Sequence, residues 1–599
     1  MISLLSGNEA VARGAWEAGV RVAAAYPGTP STEILETFAP MPGIYAEWCP
    51  NEKVALDVAV GAAYAGSRAM AVMKHVGLNV AADSFFYASM TGLEAGLVIV
   101  NADDPDMHSS QNEQDNRHYA KFARVPCLEP SNSQEAKEMV GVALDLSEKF
   151  DTPVILRITT RISHSYTIVE LGERTATERE TPPEYHINTR KYVMVPGHAR
   201  LRHPIIEERV RRIADFAATF PYNRMEMGRT SLGIVTNGVA YEYAREVFPG
   251  ASFLKLGMSY PLSEKLIREF SRRVDRLIVV EELDPFIEEE IRLMGIPVEG
   301  KSIFPICGEL DPQIVREAAI QADLLSPSER PEAVKIDKGT LPPRPPILCP
   351  GCPHRAVFHV TRKLKLVVNG DIGCYTLAFL PPQEAVHTCG CMGASIGVAH
   401  GMSKAEIKQR NVAAIGDSTF FHTGLPALLN TAYNKSNTTT IILDNRTTAM
   451  TGRQEHPGTG WTLQRQETGR VDFESLVKAM GIEDVHTVDS YDLKAVEKAL
   501  KSALDNEGPS VVITRRQCAL LPEARRQYMP LRIDEEKCIA CGLCLRIGCP
   551  ALLKSDEVYA QTGKNKVRID PTLCTGCEVC AQICPQDAIL FRVQIEEER

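Results

Sequence analysis

The chain has 599 residues, which corresponds to about four domains of ordinary size. Its composition, 44% apolar and 24% charged, is that of a globular protein, and a net charge of −10 argues against a nucleic-acid binder with a dominant basic face. Apolar runs are shorter than the roughly 18 residues of a membrane helix and the opening lacks a signal peptide's basic region, so we expect a cytoplasmic protein without membrane association.

Short apolar runs alternate with helical patterns along most of the chain. This alternation predicts α/β domains built on parallel sheets. A helix of small residues is predicted over 54–65. The predicted strands are 20–26, 69–73, 97–100, 153–157, 231–236, 251–256, 276–280, 412–415, 440–443 and 510–514.

Changes in composition divide the chain into segments. Three α/β segments are predicted, followed by a short cysteine-dense segment that needs stabilisation beyond its apolar core. A polar, basic stretch and a proline-rich stretch separate the first three. The predicted boundaries are 1–190, a connector at 191–229, 230–328, a linker at 329–346, 347–525 and 530–599.

Eight of the 17 cysteines lie near the end of the chain, in the runs Cys538-x2-Cys541-x2-Cys544-x4-Cys549-Pro550 and Cys574-x2-Cys577-x2-Cys580-x3-Cys584-Pro585. Such runs are typical of bacterial two-cluster ferredoxins, where the fourth cysteine of each run ligates the other cluster. The predicted ligand sets are Cys538, Cys541, Cys544 and Cys584 for one [4Fe–4S] cluster and Cys574, Cys577, Cys580 and Cys549 for the second.

Zinc is the alternative occupant, because CxxC pairs also bind zinc. Two runs of this form, each closed by Cys-Pro, favour iron–sulfur clusters. The first run departs from the usual pattern, since four residues rather than three precede Cys549. We expect this extra residue to reshape the loop without changing the ligands.

A different motif lies in segment 347–525. Gly416-Asp417-Ser418 follows one predicted strand and Asn445 follows the next, with 27 residues between Asp417 and Asn445. This resembles the thiamine diphosphate motif, Gly-Asp-Gly with a later Asn, although Ser418 replaces the last glycine. Alone, Gly-Asp-Ser is also an ordinary strand-end turn.

The resemblance implies a diphosphate bound through Mg²⁺, which takes oxygen ligands in octahedral geometry. The implied ligands are Asp417, Asn445 and the backbone carbonyl of Thr447. Glycines without a Cβ let the backbone approach a phosphate. The predicted cofactor-binding residues are Gly390, Gly393, Gly416, Asp417, Asn445, Thr447 and Met450.

The first segment contains two further candidates. Glu52 opens the small-residue helix and matches the glutamate that acts on the cofactor's pyrimidine ring in thiamine enzymes; the alternative is an acid stabilised by the helix dipole. Tyr26-Pro-Gly-Thr-Pro resembles the YPxTP segment of 2-oxoacid:ferredoxin oxidoreductases. In that family the threonine, here Thr29, faces the substrate.

The order of segments resembles that of the large (alpha) subunits of indolepyruvate ferredoxin oxidoreductases across essentially the whole chain. The resemblance implies a multidomain α/β fold with a pyrimidine-binding domain (1–190), a transketolase C-terminal-like domain (230–328), a diphosphate-binding domain (347–525) and a two-cluster α+β ferredoxin domain (530–599). The most specific segments are 73–79, 109–117, 349–354 and 443–452.

The resemblance also implies a reaction. Aryl pyruvates such as indolepyruvate and phenylpyruvate, formed in anaerobic amino acid catabolism, are decarboxylated oxidatively with CoA to aryl-acetyl-CoA and CO₂, and ferredoxin accepts the electrons. The implied partner is a beta subunit in an α₂β₂ heterotetramer.

Three substrate residues are predicted in the first segment. His75 and Asn79 follow the strand at 69–73, in what we expect to be a ligand loop, and Arg117 is a candidate partner for the substrate carboxylate. The alternatives are a structural loop histidine and a surface arginine among acidic residues.

A third cluster is an open question. Cys349, Cys352, Cys374 and Cys518 occur in the order of the cysteines that hold a cluster near thiamine in single-chain pyruvate enzymes. The alternative is a set of buried free cysteines, a common place for this residue.

Two other functions compete with the predicted one. The first is another 2-oxoacid:ferredoxin oxidoreductase, acting on pyruvate, 2-oxoglutarate or branched-chain acids. The second is a catalytically inactive electron-transfer or scaffold subunit that keeps the thiamine fold.

Overall fold

The computed structural model describes residues 1–175, 185–329, 342 and 344–591. The chain divides into two compact units, Met1–Ile336 and Asp337–Arg599, called unit 1 and unit 2 below. Most of the predicted linker at 329–346 and the last residues of the predicted ferredoxin segment lie outside the described residues. Within the part of the chain that is described, no helix is both long and apolar enough to cross a membrane.

Unit 1 alternates strands and helices. Its strands are β1 (Ile2–Ser6), β2 (Val22–Ala25), β3 (Tyr45–Trp48), β4 (Ala69–Lys74), β5 (Leu97–Asp103), β6 (Cys127–Leu128), β7 (Val154–Thr159), β8 (Tyr166–Glu170), β9 (Arg224–Glu226), β10 (Arg229–Asn237), β11 (Ala251–Leu256), β12 (Met258–Tyr260) and β13 (Leu277–Val280). Its helices are α1 (Gly7–Glu17), α2 (Thr32–Phe38), α3 (Glu52–Tyr64), α4 (His75–Thr91), α5 (Arg117–Ala123), α6 (Ser133–Phe150), α7 (Thr160–His164), α8 (Thr189–Tyr192), α9 (Pro196–Ala217), α10 (Ala240–Val247), α11 (Glu264–Ser271), α12 (Phe286–Leu293) and α13 (Pro312–Gln321).

A seven-stranded sheet in the order β12-β6-β7-β5-β4-β2-β3 forms the centre of unit 1. Every pair in it is parallel except β12 with β6. Each residue of β4 and β5 is buried, as expected for strands of a parallel sheet covered by helices on both faces. The remaining sheets of unit 1 are β13-β10-β11-β9 and the antiparallel pair β1-β8. The predicted α/β class with parallel sheets is therefore confirmed.

The predicted connector at 191–229 contains the long helix α9. Its buried residues Ile206, Arg209, Ile213 and Ala217 recur at helical spacing. A proline within the helix, Pro204, obscured this pattern in the sequence, since proline usually ends a helix.

One hydrophobic core of unit 1 contains residues from both of the predicted segments 1–190 and 230–328. Leu56 of α3, Phe85 of α4 and Leu254 of β11 belong to one buried cluster. Strand β12, from the predicted segment 230–328, pairs with β6 of the first sheet. Segments 1–190 and 230–328 therefore share a core.

Unit 2 contains a parallel sheet and a small cysteine-rich part. Its strands are β14 (Val367–Gly370), β15 (Asn411–Gly416), β16 (Thr439–Asp444), β17 (Asp484–Asp489), β18 (Ser510–Arg515), β19 (Leu552–Tyr559) and β20 (Lys564–Ile569). Its helices are α14 (His354–Lys363), α15 (Ala394–Lys404), α16 (Asp417–Thr419), α17 (Leu425–Tyr433), α18 (Phe473–Ala479), α19 (Leu493–Asp505) and α20 (Pro522–Arg525).

The five-stranded sheet of unit 2 has the order β14-β15-β16-β18-β17, and all its pairs are parallel. The cysteine-rich part contributes the hairpin β19-β20. Side chains from both parts, among them Val357, Val412, Ile547 and Ile589, pack into one buried cluster. This shared core fixes the cysteine-rich part against the sheet.

Arg209 provides a stability test for unit 1. Its guanidinium is buried and donates to the carbonyls of Ser89 (3.1 Å) and Asp151 (2.8 Å). Arg209→Met leaves these carbonyls without that donor, so we expect a loss of about 1–3 kcal/mol in the free energy of unfolding, measured by denaturant titration. The matched control is Arg211→Met on the exposed face of α9, where the pair with Glu208 is solvent-exposed and the change should stay within about 0.5 kcal/mol. Equal midpoints for both variants would contradict this account.

Candidate functional site

Three neighbouring parallel strands of unit 2 end at one edge of the sheet. Asp371, Asp417 and Asn445 directly follow β14, β15 and β16, and all three side chains are buried. The carboxyl ends of parallel strands are where such sheets bind ligands. We call this group of three polar side chains the strand-end site.

Asp417 joins the turns that follow β15 and β16. Its carboxylate accepts hydrogen bonds from the backbone amides of Ser418 (2.9 Å) and Arg446 (2.7 Å). The Nε2 atom of His456 lies 3.2 Å from the same carboxylate. Asp417 is therefore held as an oxygen-bearing group between the two turns.

Asn445 is fixed from both ends of its amide. Its side-chain oxygen accepts from the backbone amide of Thr447 (3.1 Å), and its nitrogen lies 3.1 Å from Nε2 of His354. Burial lowers the pKa of His354 to about 4. The imidazole is therefore neutral at pH 7, so its Nε2 can accept the hydrogen bond from Asn445.

Contacts in the structure explain the amino acids found at two positions of the Gly-Asp-Ser turn. A Cβ at Gly416 would lie 2.8 Å from the ring of Tyr375, so a side chain does not fit there. Ser418, in place of the usual glycine, accepts a hydrogen bond from the hydroxyl of Thr448 (2.9 Å). The departure from the motif thus adds a link between the two turns.

Gly390 and Gly393, which lie before α15, were predicted to let the backbone approach a phosphate, and their surroundings differ from each other. The amide of Gly393 donates to Asp371 (2.8 Å), and a Cβ at Gly393 would meet the hydroxyl of Thr423 at 2.2 Å. Contacts within the protein therefore account for this glycine. Gly390 is exposed with open space around its Cβ position, and the side chain of Met450 is half-exposed.

The four scattered cysteines with a cluster-like order lie together in unit 2. Burial, with the nearby thiols of Cys518 and Cys349, raises the pKa of Cys374 to about 11. Burial also raises the pKa of Cys352 to about 12, and Cys374 and Cys349 contribute to that increase. We call Cys349, Cys352, Cys374 and Cys518 the proximal quartet.

The proximal quartet adjoins the strand-end site. The backbone amide of Cys518 donates to the carbonyl of Asn445 (3.0 Å). Cys374 directly precedes Tyr375, whose ring packs against Gly416. Cys374 and Cys518, in the loops after β14 and β18, therefore adjoin the strand-end site.

The eight terminal cysteines lie together in the cysteine-rich part of unit 2. Burial, with the nearby thiols of Cys584, Cys541 and Cys538, raises the pKa of Cys544 to about 11. Burial likewise raises the pKa of Cys580, with larger contributions from the thiols of Cys577, Cys549 and Cys574 and a smaller one from Cys544. We call Cys538, Cys541, Cys544 and Cys584 the first ferredoxin quartet, and Cys549, Cys574, Cys577 and Cys580 the second.

In unit 1, Glu52 is buried at the start of α3, after the helix cap Asn51. It packs against α4, where a Cβ at Gly77 would lie 2.7 Å from both Cγ and Oε1 of Glu52. The absence of a side chain at Gly77 therefore provides the space that Glu52 occupies.

The expected ligand loop after β4 is not present. The strand extends to Lys74, and α4 begins directly at His75. His75 is fully buried, and burial lowers its pKa to about 4. Asn79, one turn later, is exposed and accepts a hydrogen bond from the hydroxyl of Tyr119 (2.8 Å). The two residues therefore lie in different environments.

Thr29 is linked through Ser109 to a buried lysine, Lys74, at the end of β4. The side chain of Lys74 packs at 3.3 Å from the Cβ position of Gly28, and its ammonium donates to the carbonyl of Ser109 (3.0 Å). The hydroxyl of Ser109 in turn donates to the carbonyl of Thr29 (3.2 Å). Burial lowers the pKa of Lys74, and the charges of Asp104 and Glu52 oppose that effect. The signal in the sequence was a lysine directly after the predicted strand at 69–73.

The prediction that Arg117 binds the substrate carboxylate does not fit its position. Arg117 is fully buried, with salt bridges to Asp115 and Glu281. Its remaining bonds go to the carbonyls of Glu282 (3.0 Å) and Asp284 (3.1 Å). The guanidinium is therefore occupied in holding β13 and α12 against α5.

Family models match three parts of the chain. Residues 13–226 match the thiamine diphosphate-binding family of pyruvate flavodoxin/ferredoxin oxidoreductases. Residues 371–514 match the C-terminal binding domain of thiamine pyrophosphate enzymes, and residues 531–591 match a 4Fe-4S dicluster domain. The chain thus contains thiamine diphosphate-binding domains and a domain for two [4Fe–4S] clusters.

Several known proteins are similar to the chain. The indolepyruvate oxidoreductase subunit IorA of Thermococcus kodakarensis is 44% identical over 98% of this chain and 96% of its own length. The subunit of the same name from Archaeoglobus fulgidus is 43% identical over 98% of this chain and 97% of its own length. The 2-oxoglutarate synthase subunit KorA of Methanothermobacter thermautotrophicus is 28% identical over 46% of this chain and 86% of its own length.

The length of chain that each match covers shows whether the chain is more similar to the IorA subunits or to the KorA subunit. Identity to the KorA subunit is lower and is limited to about half of the chain. The matches at 43–44% identity span both units and nearly the whole of each relative. The chain therefore belongs to the family of the indolepyruvate oxidoreductase subunit IorA.

Proposed function

We propose that this chain catalyses the oxidative decarboxylation of indolepyruvate and related aryl pyruvates. Each turnover converts the 2-oxoacid anion and CoA into aryl-acetyl-CoA, CO₂ and a proton, and two ferredoxins each accept one electron. The observation that carries the proposal is the 3.0 Å hydrogen bond from the Cys518 amide to the Asn445 carbonyl. It joins a candidate electron-accepting group directly to the strand-end site.

The strand-end site fits the diphosphate end of the cofactor. Asp417 and the side-chain oxygen of Asn445 are buried oxygen groups of the kind that Mg²⁺ binds, and the Thr447 carbonyl is the proposed third ligand. Thiamine diphosphate, when bound, stabilises the carbanion that decarboxylation produces. The hydrogen bonds from Ser418, Arg446 and Thr447 orient the two side chains in advance of binding.

Glu52 is the proposed partner of the pyrimidine ring. A carboxylate that exchanges a proton with a ring nitrogen must keep a fixed position, because small displacements weaken proton transfer. The close approach of Gly77 limits where the Glu52 side chain can lie. Two residues before Gly77 on α4, the buried and neutral His75 is suited to donate or accept a hydrogen bond without carrying charge at pH 7.

The proximal quartet fits a third [4Fe–4S] cluster. Its four thiols come from three separate loops, and burial raises the pKa of Cys352, Cys374 and Cys518. Unligated thiols there would stay protonated, whereas iron binds thiolates. A beta subunit completing an α₂β₂ assembly, with CoA as co-substrate, is part of the same proposal, since the similar relatives are themselves named as subunits.

A turnover assay tests the substrate assignment. The chain, reconstituted anaerobically with its partner subunit, thiamine diphosphate and Mg²⁺, is given indolepyruvate, phenylpyruvate, pyruvate or 2-oxoglutarate, and ferredoxin reduction is followed. We expect the aryl pyruvates to have the highest kcat/KM. Equal or better turnover of pyruvate or 2-oxoglutarate would refute the aryl assignment. No turnover and no bound thiamine would favour the inactive electron-transfer subunit.

Gly77→Ala tests the role of Glu52 without changing the glutamate. The added Cβ would lie 2.7 Å from Cγ and Oε1 of Glu52, so the carboxylate must move, and we expect a loss of about tenfold or more in kcat, because misplacement of a reacting group by about 1 Å costs up to a hundredfold. Gly61→Ala on α3 is the control, since its Cβ position is open. Wild-type kcat in Gly77→Ala would argue against a catalytic position for Glu52.

An iron and acid-labile sulfide count tests the third cluster. Three cubanes predict about twelve iron atoms per chain and two predict about eight. We expect about twelve in the wild type and about eight in Cys518→Ser. Cys307→Ser, at an exposed cysteine of unit 1, is the control and should retain about twelve. A wild-type count of about eight would exclude a cluster on the proximal quartet.

A further inference from the structure

One arginine of unit 2 binds two cysteine-bearing loops at once. Arg355 lies in the first turn of α14 and is buried. Through Nη2 it donates to the carbonyls of Leu348 and Cys349 (3.2 Å for Cys349), in the proximal quartet's loop. Through Nη1 it donates to the carbonyls of Ile547 (3.1 Å) and Gly548 (2.5 Å), directly before Cys549 of the second ferredoxin quartet. A single guanidinium thus connects the two quartets.

The extra residue in the first cysteine run builds the surface that Arg355 binds. Cys544–Ile547 forms a 3-10 turn, and Gly548 then adopts a left-handed conformation with φ of 67°. A Cβ at Gly548 would lie 2.6 Å from the ring of Pro382. The side-chain amide of Gln383 also donates to the Ile547 carbonyl (2.6 Å). The unusual spacing before Cys549 therefore serves a contact outside the ferredoxin part.

A second connection runs parallel to the first. The hydroxyl of Tyr491 donates to the carbonyl of Gly351, between Cys349 and Cys352 (2.5 Å). The side chain of Gln582, two residues after Cys580, donates to the backbone carbonyl of Tyr491 (2.7 Å). These contacts hold the same two quartets at a defined separation, and they carry no net charge.

The charge of Arg355 distinguishes it from that second connection. An arginine is always protonated, even when buried. Its two terminal nitrogens donate to the carbonyl of Cys349 in the proximal quartet (3.2 Å) and to the carbonyl of Gly548 directly before Cys549 (2.5 Å), so the positive charge lies close to a cysteine of each quartet. The guanidinium therefore acts electrostatically on both quartets.

Potentials of iron–sulfur clusters depend on net charge and on nearby hydrogen bonds. A buried cation near two such sites favours the more negative, reduced state of each. We propose that Arg355 is a positioning and electrostatic residue for electron transfer between the proximal quartet and the second ferredoxin quartet: it fixes their separation and raises the reduction potentials of the clusters they hold. This inference rests on the proposed third cluster.

Redox titration of the full chain, followed by electron paramagnetic resonance and needing no substrate, tests the proposal. In Arg355→Gln we expect two of the three cluster signals to show about a tenfold lower ratio of reduced to oxidised form at fixed potential, equal to a shift of about 59 mV for one electron. Arg355→Lys keeps the charge and should retain wild-type potentials. Arg362→Gln, at an exposed salt bridge on the same helix, is the matched control and should change nothing.

Iron content makes each outcome decisive. A fully loaded Arg355→Gln with wild-type potentials overturns the proposal, and so does an equal shift in Arg355→Lys. If Arg355→Gln loses iron, Arg355→Lys decides: full loading with wild-type potentials supports the role of the charge, and loss of iron or shifted potentials there overturns it. A wild-type count of about eight iron atoms refutes the third cluster instead, so the two failures are distinguishable.

Discussion

Four parallel strands of unit 2 end at one edge of a sheet, and the candidate chemistry of this unit depends on that alignment. β14 leads to Asp371 and Cys374, β15 to Asp417, β16 to Asn445, and β18 to Cys518. Adjacent parallel strands place their carboxyl ends side by side. Residues that are more than a hundred positions apart therefore meet in one small volume, where oxygen groups and thiols adjoin.

Burial is what gives these side chains their properties. Polar groups removed from water must be hydrogen-bonded, and this requirement orients them. Asp417 and Asn445 are held by amides of their own turns, and His354 is kept neutral by burial. In unit 1 the guanidinium of Arg117 is also buried and must be paired, and two buried carboxylates already pair with it. It is therefore not available to bind a substrate carboxylate. Arg117 is thus a structural residue, whereas Asp417 is a candidate ligand, although both are charged residues in motif-like segments.

Much of the fold was predictable from the sequence because local patterns determine it. Buried parallel strands appear as apolar runs, and the predicted run 251–256 coincides with β11. The cysteine spacing also predicted the 4Fe-4S dicluster domain that the family model matches at residues 531–591. Helix α9 was missed because Pro204 and a mostly polar surface obscured its narrow buried face. The helix start at His75 was missed because the strand and helix join there without a loop.

The sequence by itself determined the chemical inventory of this protein: which oxygen groups follow strands, which cysteines share a run, and which spacing is unusual. Local spacing can do this because residues a few positions apart are constrained by the backbone. Only the tertiary structure decided which of them meet. Contacts between distant segments bring Cys349, Cys374 and Cys518 together. They also pair the Arg117 guanidinium with Glu281 and let Arg355 donate to the carbonyls of both Cys349 and Ile547. Those contacts arise from packing into a shared core, which spacing along the chain does not encode.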